Sequence, residues 1–137
     1  MPTLDFAFLA DAAEAEPGRK FYVLGGGIDQ IAGPEFPLTH PHISLVMRFL
    51  VHPTELGLTH RLQVRMVDAD GKELARIEGD IETAQSEPSG REVGVNMVIN
   101  LANPRFEAPG DFALDILMNN QFQKSLPLHV SQVPPAP

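Results

Sequence analysis

The chain contains no cysteine, no tryptophan and a single tyrosine. Without cysteine there is no disulfide, no thiolate ligand for a metal and no cysteine nucleophile, and a reducing cytosol is the expected compartment. Basic residues are scarce: 10 Lys and Arg stand against 18 Asp and Glu, giving a formal charge of −8 at pH 7. Phosphate backbones and anionic lipid repel such a surface unless its cations cluster. They do not cluster, Arg19/Lys20 and Arg61/Arg65 being the closest groupings, and the scattered Phe residues make no stacking platform for bases. Nucleic acid is therefore not an expected partner. No apolar run approaches the roughly 20 residues of a membrane span. The N-terminus, with Asp5 and Asp11 and no basic stretch, does not read as a signal peptide, so neither membrane nor export is expected.

What the chain has in quantity is alternation. Over residues 91–101, Val93, Val95, Met97, Ile99 and Leu101 fall on every second position. A period of two puts all five on one face of an extended chain, whereas a helix would scatter them. Val93, Val95 and Ile99 are also stiff at χ1, which suits a pleated surface. The same rhythm recurs in Leu4–Ala10, in residues 42–52, in Leu62, Val64 and Met66, and in Phe112, Leu114, Ile116 and Met118. Phe21-Tyr22-Val23-Leu24 adds a short strand. Another returns from the Asp68-Ala-Asp-Gly71 turn through Leu74, Ile77 and Ile81, and a last one runs from the Asn119-Asn120 turn to Val130. Residues 12–16 read as a loop stopped by Pro17-Gly18. The stretch from Gly27 to His42, with Pro34, Pro37 and Pro41, reads as a long crossing connection, since proline cannot donate to a ladder.

These elements predict an all-β chain: an antiparallel β-sandwich of about seven to eight strands, immunoglobulin-like or jelly-roll-like, with no long helix. At 137 residues one domain is expected, spanning residues 1–131, with 132–137 as a flexible Pro-rich tail.

Several constellations invite a chemical reading. Gly25-Gly26-Gly27 follows a strand as a phosphate loop would. No Gly-Lys-Ser/Thr follows and prolines replace the helix that would face an anion, so the glycines read as relief for a strand that bends or bulges. His40 and His42 have the His-x-His spacing of metal sites on strands. The carboxylate such a site wants soon after is replaced by Val46 and Met47, leaving convergence of His52, His60 or His129 as the only route to a complete set. Asp68, Asp70 and Gly71 resemble part of a calcium loop, but Met66 and Ile77 occupy the remaining ligand positions, so the segment reads as a hairpin turn. The serines sit in no Gly-x-Ser-x-Gly context, and Asp80 and Glu82 read as a solvated strand face.

The segments Phe8-Leu-Ala-Asp11, Lys20-Phe-Tyr-Val-Leu-Gly-Gly-Gly27 with Asp29, and Phe36-Pro37 followed by His40-Pro-His42 resemble a family of bacterial proteins of similar length, catalogued only as a domain of unknown function. The Val67-Asp-Ala-Asp-Gly71 hairpin and the Phe106…Pro109-Gly110-Asp-Phe112 segment extend the likeness over nearly the whole chain, with Ile28 standing where an aromatic is usual. The resemblance implies a β-sandwich and carries over no activity.

The function expected from the residues is a non-catalytic binding or protein-interaction module with no cofactor and no bound metal. It would act through a protein partner or through self-association. The apolar residues left off the core rows, Val46, Leu50, Val98 and Leu117, are the candidate surface, unless a loop or the Pro-rich connection covers them. A metal-dependent enzyme or a small-molecule binder using the His40/His42 region is the alternative.

Overall fold

In the computed structural model, which describes residues 1–16, 20–83, 85 and 87–135, the backbone is β throughout apart from one short 3-10 turn at Pro53–Glu55. Among the described residues there are eleven strands: β1 (Thr3–Ala15), β2 (Phe21–Gly26), β3 (Gln30–Gly33), β4 (Leu38–Thr39), β5 (His42–Val51), β6 (Thr59–Val67), β7 (Glu73–Glu82), β8 (Val93–Ala102), β9 (Arg105–Phe106), β10 (Gly110–Met118) and β11 (Gln121–Gln132). A four-stranded sheet, in the order β2-β1-β5-β8, faces a five-stranded sheet, in the order β3-β11-β10-β6-β7, and β4 with β9 forms a separate two-stranded clip. The sandwich is therefore the predicted one. Eight of its strands are the ones read from the sequence, seven with apolar residues set mainly on one face and β2 from its unalternated apolar run, and β3, β4 and β9 are short additions.

Three local expectations are corrected. Residues 12–15 are not a loop: β1 continues to Ala15 and pairs there with Phe21 of β2. The Pro17-Gly18 stop lies outside the described residues. The crossing connection holds two strands, β3 and β4, made possible because each sits where no inner ladder runs through its prolines. The third correction concerns pairing direction, for β3 runs parallel to β11 while every other pair is antiparallel. The last strand, β11, reaches Gln132, and the Val133 amide donates to the Gly33 carbonyl at 3.0 Å. Ala136 and Pro137 lie outside the described residues.

The core forms between the sheets from the alternating rows. Ile43, Leu45, Met47 and Phe49 of β5 meet Leu114, Ile116 and Met118 of β10 and Leu126, Leu128 and Val130 of β11, all buried. Each such side chain contributes on the order of 1.5–3 kcal/mol when fully buried, so these rows dominate the stabilising energy. Tight turns close the hairpins. Asn119 and Asn120 both take positive φ, 50° and 65°, the twist a two-residue hairpin needs. In the β6–β7 turn the Asp68 carboxylate accepts from the Asp70 and Lys72 amides at 3.0 and 2.9 Å, and Gly71 takes φ 82°. Asp68 Oδ1 is thus spent on its own turn.

Candidate functional site

The histidines do not converge. His40 lies in the connection before β5, where its backbone amide donates to the Pro104 carbonyl at 2.9 Å. His42 opens β5, and its Nε2 lies 3.1 Å from Ser44 Oγ and 3.2 Å from Asn100 Oδ1. Ser44 Oγ donates to Asn100 Oδ1 at 2.6 Å and has no exposed surface, so its hydroxyl ties β5 to β8 and is out of reach of any external substrate. His52 caps the 3-10 turn, accepting from the Thr54 amide at 3.2 Å; His129 rests against the Asp111 carboxylate. Among the described residues no group of three or more His, Asp or Glu side chains comes together as a metal set.

Gly25 and Gly27 take φ 67° and 90° where β2 ends. A Cβ at Gly25 would strike the Asp11 carboxylate, and one at Gly26 would sit 3.1 Å from the Phe8 ring and 3.3 Å from Val23. These glycines let the returning strand lie directly on β1. No helix follows them.

The four off-row residues do not form one surface. Val46 is fully buried, in register between Phe8 of β1 and Val98 of β8, so it is removed as a surface candidate. Leu50 and Val98 are half-buried on the outer face of the four-stranded sheet. Leu117 is half-buried on the outside of the other sheet, opposite Gln63 and Phe122. Charge screens much of that second outer face: Arg61 donates to Glu78 at 2.6 Å and to Asp80 at 3.2 Å, and Arg76 to Glu78 at 2.9 Å. The two arginines hold the Glu78 carboxyl below its usual pKa, Arg76 foremost.

Sheet edges are what sequence reasoning missed. A free edge presents unpaired main-chain groups and is ordinarily blunted by charge, proline or brevity. On the five-stranded sheet both edges are blunted. The strand β3 has four residues and runs into Pro34, and β7 carries Glu73, Arg76, Glu78, Asp80 and Glu82. On the four-stranded sheet neither is. Residues 21–28 of the β2 edge and 93–104 of the β8 edge carry no charge at all. The strand β8 pairs with β5 over ten residues without a register shift. Its inward row, Val95, Met97, Ile99 and Leu101, packs on the core yet stays only half-buried, because among the described residues no strand pairs with its outer side.

Beneath that edge the facing strand is uncovered. Pairing of Met66, Val64 and Leu62 with Ala75, Ile77 and Gly79 puts the latter three on the inward face of β7. Ile77 nevertheless stays 39% exposed, and a Cβ at Gly79 would meet nothing within 4 Å. Ile99 and Leu101 of β8 line one narrow slit with Ala75 and Ile77 of β7, so open edge and open floor adjoin. Five strands face four, and the inward face of β7, beside β8, is left as an open channel. A separate concavity of about 480 Å³ lies at the end of the sandwich between the β6–β7 turn and residues 105–112, floored by Phe106 and Phe112. Neither a histidine nor the glycine bend lines it, though His129 rests against Asp111 on its rim, and Asp68 there is engaged in its own turn.

Among the described residues no helix is long and apolar enough to cross a membrane. Over residues 5–131 the chain matches a family described as a family of unknown function, DUF6941. No curated protein matches it.

Proposed function

Since this chain belongs to the DUF6941 family, to which no activity is assigned, we propose that it is a non-catalytic interaction module, working without cofactor, that accepts an extended segment of a partner protein as an added strand beside β8. The observation that carries this reading is the channel itself: an uncharged ladder edge ten residues long above an apolar floor that its own second sheet leaves bare. Main-chain pairing along β8 supplies affinity, and every second side chain of the incoming strand drops onto Ala75, Ile77 and Gly79. The segment favoured is thus apolar at alternate positions, and basic between them, since the receiving chain carries −8. The absence of cysteine supports a cytosolic setting for this work.

Gly79 allows a direct test. A displayed library of random peptides matching β8 in length is selected on the full chain. Enrichment of alternating apolar residues is expected, together with loss of binding on Gly79→Leu, whose side chain fills the floor while the fold persists. Selected peptides that bind Gly79→Leu as well as the unaltered chain would overturn the reading.

A further inference from the structure

The other uncharged edge belongs to a differently built element. Partners of β1 change along its length: residues 3–10 pair with β5, and pairing with β2 begins at Ala10 and runs to Ala15. Beyond Ala10 the chain is therefore a two-stranded ribbon, which is marginal in water unless another surface supports it. One face of this arm has that support. The Phe21 ring lies 6.0 Å from Phe6, which stacks on Phe8 at 6.0 Å, and Val23 reaches the space over Gly26 beside Phe8. The opposite face has none, with Leu24 73% and Tyr22 56% exposed beside Ala12.

The run Phe-Tyr-Val-Leu at 21–24 does not alternate, and a strand apolar on both sides is the pattern of one covered on both sides. The fold covers one side only. We infer that a second copy of the chain shields these bare residues from the side, two β2 edges pairing antiparallel about Val23 to join the arms into a four-stranded sheet.

The register follows from which residues this places opposite one another. A two-fold axis normal to the sheet keeps each face on its own side, so a residue must stand opposite its own copy at the centre. Centred on Val23, Tyr22 faces Leu24 of the second copy twice over, and every exposed apolar side chain meets another. Centred on Tyr22, Leu24 would face Lys20. A foreign peptide is the weaker occupant here, because only six residues of edge are offered and no second sheet lies across from them as a floor. The two β8 channels remain at the far ends of the joined sheets, so the dimer displays two of them. The β2 edge is distinct from the β8 edge of the proposed function, and either role can fail alone.

The chain has no cysteine, so single cysteines report the pairing. Directly opposite residues on an antiparallel ladder have Cβ atoms about 4.5–5.5 Å apart, close to disulfide reach. Under mild oxidation Val23→Cys is expected to form a covalent dimer, while Tyr22→Cys and the remote Phe122→Cys do not. Sedimentation is expected to give twice the 15.0 kDa protomer mass for the unaltered chain, falling by half in Leu24→Asp with an unchanged circular-dichroism spectrum. A monomer at the highest soluble concentration, a dimer surviving Leu24→Asp, or crosslinking at Tyr22→Cys in place of Val23→Cys would each overturn it.

Discussion

His60 shows how one buried polar side chain is reconciled with a β core. Its Nε2 donates to the Glu55 carbonyl at 3.1 Å, and its Nδ1 accepts from the Asn119 amide at 3.2 Å, so the neutral ring has both nitrogens satisfied. Asn119 in turn accepts the Arg61 amide on its Oδ1 at 2.8 Å, which fixes the orientation of its own amide. Burial, with a smaller contribution from the N-terminal ammonium, lowers the His60 pKa below its ordinary 6.5. The unfolded chain then binds the proton more tightly than the folded one. The stability this group contributes is therefore complete above about pH 6.5 and declines as pH falls through that value. Urea midpoints measured across that range should drop on the acid side, with the drop reduced in His60→Gln. At neutral pH His60→Ala should cost about 1–3 kcal/mol, because it strands two partners. None of this was visible in the sequence, where His60 was one of five scattered histidines. The partner on one nitrogen comes from a turn 59 residues away.

At the scale of elements, the same alternation has different consequences according to a strand's place in its sheet. Strands β5 and β8 read alike in sequence, yet Met47 and Phe49 are fully buried while Met97 and Val95 are half-open. The former strand has neighbours on both sides and the latter on one. Phe49→Ala is accordingly expected to lose about 3–5 kcal/mol in chemical denaturation. Arg61→Ala, which breaks the exposed ion pairs with Glu78 and Asp80, is expected to leave the denaturation midpoint nearly unchanged. Alternation also misled in one respect. It reports which face is apolar, not whether the fold covers that face, so it leaves Val46 a surface candidate although Phe8 and Val98 flank it in register. The informative departure was the unalternated 21–24 run. It marks a strand apolar on both faces, and β2 proved to be the barest of the edges.

For the whole molecule the balance of charge sets the terms of association. Two copies, each at −8, approach one another against their own field, and Asp11, Glu14 and Glu16 lie on or beside the arm proposed to join them. Screening weakens that repulsion and leaves apolar burial and main-chain pairing nearly untouched. Raising the salt from low to physiological strength is thus expected to lower the dimer dissociation constant measured by sedimentation. A basic peptide bound at the β8 channel should respond in the opposite direction, its attraction to the chain being screened. The two edges can therefore be told apart by salt alone.

By itself the sequence determined that this chain is β, that its inward rows are those of residues 42–51, 93–101 and 112–118, and that its hairpins turn at Asp68-Ala-Asp-Gly71 and Asn119-Asn120. Each of these is local, a matter of side-chain period and of φ at single residues. Only the tertiary structure decided that five strands face four, that β3 enters parallel to β11, and that β2 and β8 are the end strands of their sheet among the described residues. An edge is a property of neighbours far along the chain. No periodicity within a strand encodes which neighbours it lacks.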